Sequence, residues 1–371
     1  MLPSLLCGSV NHYKEMIMFC EKIRNSSLKT ASIILIFAFL TGCASVTSGL
    51  YHDDDNNAVS VNNVDYKPSF SYQMLLAGVR MSGYKKMYAD DAQSVIKRAR
   101  QFNNRTRQLP PSSFYSRFIV TETKINDRPC FLVTPKQNVR TDKAVVFLYG
   151  GGFVLGIDFF HWNAIERILS ELSVPVYIPL YPIFPETNPN NVISFINEVF
   201  VQVYEEYPAA RIIGMGDSSG ACLLLSYCQY LTEINAERFP DQLILISPAQ
   251  VVGIDDATLN EMRAIEKFDP CISIDILKNL SFIFNLNDEN ESWFSTPLYG
   301  NFSRFPPVYV FIGTHDIFYP LIQPFVERVR VQGRPIELYT GIGMMHSWPY
   351  MPIASESKLA LDTILEIIDR D

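Results

Sequence analysis

Charge is sparse in this chain, and what there is leans acidic. Charged residues make up 19% of the 371 residues, and the formal net charge is −8. No cluster or stripe of Lys and Arg stands out, which argues against nucleic acid as a partner. Seven cysteines are present, but none in the C-x-x-C spacing that would indicate a metal site. Neither a G-x-G-x-x-G fingerprint nor a P-loop lysine occurs, so the usual phosphate cradles are excluded. There is no internal repeat. Apolar residues, by contrast, make up 48% of the chain. That is ample for a sizeable core and suits one large α/β domain with additions.

The N-terminus reads as a targeting segment. Lys22, Arg24 and Lys29 precede the apolar run Ala31–Leu40, which is too short to span a bilayer and suits the apolar core of a signal peptide. Leu40-Thr41-Gly42-Cys43 resembles a bacterial lipobox, in which the cysteine is lipidated and becomes the mature N-terminus. Ala44 follows where an aspartate would retain the protein at the inner membrane, so the pattern resembles outer-membrane sorting. These features imply residues 1–42 as signal peptide, with Met18 a candidate true start, and 43–67 as a lipidated N-terminus and flexible tether. The expected location is the bacterial cell envelope, with the membrane as a partner through several acyl chains on Cys43.

Beyond the tether, residues 68–107 carry apolar positions at three- and four-residue steps, a helical pattern that Pro110-Pro111 stops. Two alternating runs, 116–123 and 129–134, flank Asn126-Asp127 and predict a β-hairpin. Then strand and helix patterns alternate. Buried strands are expected at 144–149, 174–180, 211–215, 243–247, 307–313 and 335–339, with helices between them and a closing helix at 358–368. Such alternation predicts a mostly parallel sheet covered on both faces.

Two glycine motifs sit at the ends of predicted strands. Gly216-Asp217-Ser218-Ser219-Gly220 separates the strand 211–215 from a buried helix. Strand, G-x-S-x-G, helix is the pattern of a nucleophile elbow, whose tight turn needs nearly bare neighbours and lifts the serine hydroxyl above the sheet. The pentapeptide alone recurs by chance in roughly one chain in ten of this length, and an N-capping serine in a glycine-rich turn would look the same. The second motif, Tyr149-Gly150-Gly151-Gly152-Phe153, ends an upstream strand. Bare glycines there let backbone N–H groups converge on a developing oxyanion.

Together these motifs resemble the His-Gly-Gly-Gly and Gly-Asp-Ser-Ala-Gly-Gly pair of the hormone-sensitive-lipase-like branch of the α/β hydrolases. Tyr181-Pro182-Ile183-Phe184-Pro185-Glu186 is similar to that family's Tyr-Arg-Leu-Ala-Pro-Glu stretch, and Ile246-Ser247-Pro248 and 305–316 also fit. Tyr149 replaces the family's loop-shaping histidine, and Ala221 replaces a glycine. The resemblance implies an α/β-hydrolase fold with a helical cap: N-terminal cap helices at 68–115 and a hydrolase domain at 116–371 with a cap insertion near 252–291. It also implies a serine carboxylic-ester hydrolase. A serine hydroxyl needs a base, and the base needs an orienting carboxylate. In this fold the order is Ser, acid, His. Only His315 and His346 follow Ser218. His346 lies just past the last strand, where the family keeps its base, and Asp316 follows the penultimate one. His315, adjacent to Asp316, reads as a loop residue, and His161 stands in the wrong order. The resemblance assigns the oxyanion hole to the N–H groups of Gly151, Gly152 and Ser219. The expected partner is a small ester, and no metal or organic cofactor is required.

Two other classes share these features: a silent ligand-binding homologue, and an amidase or acyl transferase using the same triad. Cys222 and Cys228 lie in an apolar helix as small core residues. The aromatic residues Phe153, Phe159, Phe160, Trp162 and Trp348 lie near the catalytic motifs. Trp348 and at least one of Phe159, Phe160 and Trp162 are expected to line an apolar pocket.

The tether makes a direct test available. Cys43→Ser should leave the protein soluble or as an unprocessed precursor, read by membrane fractionation. Recovery of the Cys43 protein in the soluble fraction would refute the lipobox reading.

Overall fold

The computed structural model describes residues 61–64, 68–106, 108–284, 294, 296–351 and 353–370. The expected signal peptide and the lipidation candidate Cys43 lie outside these residues. Nine strands form one sheet in the order β1-β9-β8-β7-β6-β4-β5-β3-β2. They are β1 (Val61–Val64), β2 (Phe118–Ile125), β3 (Arg128–Pro135), β4 (Lys143–Leu148), β5 (Val176–Pro179), β6 (Arg211–Asp217), β7 (Gln242–Ile246), β8 (Val308–Gly313) and β9 (Ile336–Gly341). The hairpin strand β3 runs antiparallel to both β2 and β5, and every other pairing is parallel. The runs that form β4, β5 and β7 are buried at every position, as the continuous apolar text of a sheet covered on both faces requires.

Ten helices matter here: α1 (Phe70–Ser82), α2 (Ala92–Thr106), α3 (Ser112–Arg117), α4 (Phe159–Leu172), α5 (Pro189–Glu206), α6 (Ser219–Glu233), α7 (Asp256–Ile265), α8 (Asp275–Phe284), α9 (Tyr319–Val331) and α10 (Ser355–Asp369). Asp158 caps α4, accepting from Phe160 N at 3.0 Å, and Asn188 caps α5, accepting from Asn191 N at 2.9 Å. Such caps satisfy first-turn donors that have no partner inside the helix.

The register places the site. Strand order reverses between β4 and β6, and in an open α/β sheet the crevice at the strands' carboxyl ends opens at such a switch point. Leu148 pairs with Gly216, Asp217 with Ile246 and Gly313 with Gly341. The residues that follow these positions, Tyr149, Ser218, Ser247, Thr314 and Ile342, therefore emerge along one edge.

Two local expectations are corrected. The span expected as a flexible tether, 43–67, includes a strand, because Val61–Val64 pairs in parallel with Leu338–Gly341. An outer strand otherwise leaves a row of N–H and C=O groups unpaired, and a short extended segment satisfies them. The hairpin starts two residues later than its alternation implied. Ser116 and Arg117 close the short helix α3, whose Phe114 packs on Phe118 and Trp162, each at 5.3 Å between ring centroids.

The two helical additions lie against each other. Asn279 of α8 donates to the carbonyls of Tyr88 and Asp90 at 2.9 and 3.3 Å. Lys85 donates to the carbonyls of Glu266 and Asp269 at 2.5 and 3.1 Å. These bonds satisfy buried backbone acceptors, and they bind the segment between α1 and α2 to α8 and to the loop before it.

Helix α6 runs so close beneath the sheet edge that Gly220 has no room for a side chain. A Cβ there would lie 1.9 Å from the carbonyl oxygen of Leu148. Gly220→Ala should therefore cost more than the roughly 1–3 kcal/mol of ordinary overpacking, because backbone meets backbone. Denaturant titration checks this, and an unchanged midpoint would contradict the packing described.

Candidate active site

Ser218 stands between β6 and α6 with φ 49° and ψ −118°. A non-glycine residue at such an angle is strained and persists only where its surroundings over-determine it. Here Ser218 N–H donates to Ile246 O at 2.8 Å, and Ser218 O accepts from Cys222 N at 3.0 Å. The turn is thus fixed from the neighbouring strand and from its own helix.

Asp316 and His346 are brought together. Asp316 is fully buried. Its Oδ1 accepts from Phe318 N at 3.0 Å, and its Oδ2 lies 2.9 Å from His346 Nδ1. With a carboxylate on Nδ1, that nitrogen carries the proton and Nε2 keeps its lone pair. Nε2 is buried and has no hydrogen-bond partner, so it is not bonded to Ser218. Burial disfavours the imidazolium, but the charge and hydrogen bond of Asp316, with Asp269 and Asp217 behind it, outweigh burial and raise the His346 pKa. His315 is elsewhere: it stacks on Phe268 at 4.8 Å, and burial and Arg80 lower its pKa.

One residue that the motif reading left as a spacer proves central. Asp217 Oδ1 accepts from Gly150 N at 2.8 Å, and Asp217 Oδ2 accepts from the Ser347 hydroxyl at 3.0 Å. The elbow therefore holds both the glycine loop and the residue after His346. Ser347 has φ 50°, and its N–H donates to Ser247 Oγ at 2.9 Å. Met345 N–H donates to the Tyr72 hydroxyl at 2.6 Å. The histidine loop is thus pinned on either side of His346, once from the sheet and once from α1.

His161 is an organiser. Its Nδ1 lies 2.7 Å from Asp158 Oδ1, and its Nε2 lies 3.2 Å from Asp217 Oδ1. Burial opposes its charge, but the two carboxylates prevail and raise its pKa to about 10. The same two nitrogens lie 3.1 and 3.2 Å from the amide nitrogens of Asp158 and Gly150, so the ring is held between two carboxylates and two backbone N–H groups. The sequence signal for this role was weak: a histidine at the third position of a helix capped by an aspartate.

In the glycine loop, Gly151 and Gly152 have φ of 136° and 58°, and Gly151 O accepts from Val154 N and Leu155 N at 3.2 and 2.9 Å. Gly150's N–H is shared between Asp217 Oδ1 at 2.8 Å and His161 Nε2 at 3.2 Å. Tyr149 stacks on Tyr181 at 4.4 Å, and the Tyr181 hydroxyl donates to Tyr149 O at 2.6 Å. The residue that stands where the resembling family has histidine thus shapes the strand end by ring stacking.

The aromatic wall differs from the expected one. Trp162 packs into the core on Phe114 and Phe131, and Trp348 is buried against Gly341. Phe159 and Phe160 pack on each other at 5.8 Å. The rings gathered beside the elbow are Phe153, Phe184, Phe284 and Phe294, with centroids 4.6–5.8 Å apart. Phe153, Phe284 and Phe294, with Cys222, Ala249 and Gln250, line a cavity of about 10 Å³. Cys222 lies one helical turn from Ser218, and its Sγ donates to Ala249 O at 2.6 Å. Among the described residues, no group of three His, Cys, Asp or Glu is arranged to hold a metal ion.

Comparison with known proteins agrees with this fold. Residues 145–350 match the model of the family described as alpha/beta hydrolase fold. The chain is similar to a triacylglycerol lipase of Mycobacterium tuberculosis (strain ATCC 25618 / H37Rv), at 25% identity over 212 residues. That match covers 56% of this chain and 42% of the relative, so the chain spans about two-fifths of the curated relative's length. A solved structure from Staphylococcus aureus, described as an esterase candidate, superposes with a TM-score of 0.67 at 26% identity, covering 78% of this chain and 96% of that one. An esterase of the bacterial hormone-sensitive lipase family superposes with a TM-score of 0.65 at 20% identity, covering 79% and 96%. The chain belongs to the alpha/beta hydrolase fold family.

His161 makes stability depend on pH. Its folded pKa of about 10 lies above the ordinary value of 6.5, so its contribution is complete below about pH 6.5 and is lost as pH rises towards 10. His161→Gln should therefore lower the melting temperature most below pH 6.5, and the gap to wild type should narrow towards pH 10. A gap that instead shrinks as pH falls below 6.5 in thermal melts would mean that His161 is neutral when folded.

Proposed function

We propose that the chain is a serine carboxylic-ester hydrolase that acts on small, apolar acyl esters. The observation that supports this best is the Asp316–His346 pair at 2.9 Å on the sheet edge that also carries the strained Ser218. In this reading Ser218 Oγ attacks the ester carbonyl. His346 Nε2 takes the hydroxyl proton and then delivers it to the departing alcohol. Asp316 fixes the ring tautomer and steadies the positive charge. The N–H groups of Gly151, Gly152 and Ser219 face the tetrahedral oxyanion, and bonds made only at that stage lower the barrier. Water, activated by the same histidine, then hydrolyses the acyl-enzyme.

The phenylalanine cluster supports an apolar acyl site, since it offers no polar partner to a charged or hydroxylated group. The whole-protein activity of the lipase relative is not needed for this reading. Attachment to the cell envelope through lipidated Cys43 belongs to the same proposal, with the described domain acting on esters that reach the envelope.

Ser218→Ala should lower turnover of p-nitrophenyl esters by roughly 10⁴–10⁶-fold with an unchanged melting temperature. An organophosphonate should label Ser218 alone. Ester and amide analogues assayed side by side separate esterase from amidase action, and near-normal activity of the alanine variant would overturn the assignment.

A further inference from the structure

Asp269 is a buried carboxylate that the proposed mechanism does not use. It lies in the loop between α7 and α8 and is 2% exposed. Its Oδ1 accepts from Cys271 N and Ile272 N at 2.8 and 3.1 Å, a local turn that any capping aspartate makes. Its Oδ2 does something a local turn does not require. It reaches 48 residues along the chain to accept from Ile317 N at 3.1 Å, the amide directly after Asp316. We infer that Asp269 is a positioning residue for the reaction: it locks the loop that presents Asp316 and adds a second negative charge behind His346. The inference rests on the proposed Ser218–His346–Asp316 reading.

The surroundings fit this role. Asp316 and His346 face Asp269 from the sheet edge, Cys271 from its own loop and Tyr72 from α1. Lys85 donates to its main-chain carbonyl, and among the described residues its carboxylate forms no ion pair with a Lys or Arg. Burial and the Asp316 charge push the Asp269 carboxyl up to about 7, with His346 pulling it down. Burial likewise raises the thiol of Cys271 and the phenol of Tyr72, so both stay neutral and add no competing charge. The charge on Asp269 in turn favours the imidazolium of His346. A carboxylate that changes charge beside the base in the neutral range couples the two titrations.

Asp269→Asn isolates this function. An amide oxygen can still accept from Cys271 and Ile272, but the amide nitrogen cannot accept from Ile317, and the charge is gone. We expect kcat to fall by roughly 10- to 100-fold, the scale of a misplaced catalytic group, with KM little changed. The acid limb of kcat/KM should move to lower pH, because the imidazolium has lost a neighbouring anion. A variant that melts earlier but keeps the wild-type acid limb would overturn the inference, leaving Asp269 as a turn residue. Should the variant fail to fold, the unmodified protein serves. The low-field proton resonance of the His346–Asp316 hydrogen bond should titrate in two steps, and a single step would overturn the inference. The Ser218→Ala control keeps the two readings apart. Ester hydrolysis that survives in that variant would sink the triad reading, whereas Ser218-dependent hydrolysis with an unmoved acid limb would sink only the role of Asp269.

Discussion

The carboxylate of Asp217 is the interaction on which the site depends. It is buried at the end of β6, and its two oxygens reach Gly150 on one side and Ser347 on the other, with His161 beside the first. Two separate loops and the first turn of α4 are thereby referenced to one strand. Each bond is worth only about 1 kcal/mol net, and rather more when one partner is charged. Their geometric effect is larger than their energy, because a displaced loop would leave a buried carboxylate unsatisfied. The strain at Ser218 is carried by the same strand end, so the elbow and the loops around it stand or fall together.

Charge is concentrated where the chain is otherwise apolar. Asp217, Asp269 and Asp316 are all buried, and so are His161 and His346. The anions are not left bare. Asp316 has a backbone amide and a histidine, Asp269 has three amides, and Asp217 has an amide, a hydroxyl and a histidine. In a low-dielectric site each such donor counts for more than it would in water. The arrangement suits a reaction in which positive charge appears on one imidazole and negative charge on an oxygen nearby, with little rearrangement of what surrounds them.

Much of this was legible in the text of the chain, for physical reasons. Continuous apolar runs broken by turn residues mark strands covered on both faces, and glycine motifs at strand ends mark loops where the backbone must come close. The order Ser218, Asp316, His346 is what the resemblance to the hydrolase family implies, and the structure brings Asp316 and His346 together. What could not be read was side-chain partnership across the fold. Asp217 and His161 look like ordinary residues until the register of β4 against β6 puts Gly150 beside them. Trp162 could not be assigned to the core without α3, a six-residue helix whose pattern is too short to register. The pairing of β1 on β9 was hidden for the same reason: four residues with two valines carry no period of their own.

The bond from Met345 N–H to the Tyr72 hydroxyl has a consequence for how such a protein can be taken apart or rebuilt. Tyr72 belongs to α1, and Ser69 at the start of that helix donates its N–H and its hydroxyl to Glu356 of α10 at 2.5 and 2.9 Å. The N-terminal helices are therefore not an interchangeable lid laid over a finished engine. Grafting the corresponding helices of a homologue onto this sheet would import a foreign support for the base while removing the native one. Recombination between relatives should accordingly succeed when the segment around Tyr72 travels with the segments around Met345 and Glu356, and fail when a crossover parts them.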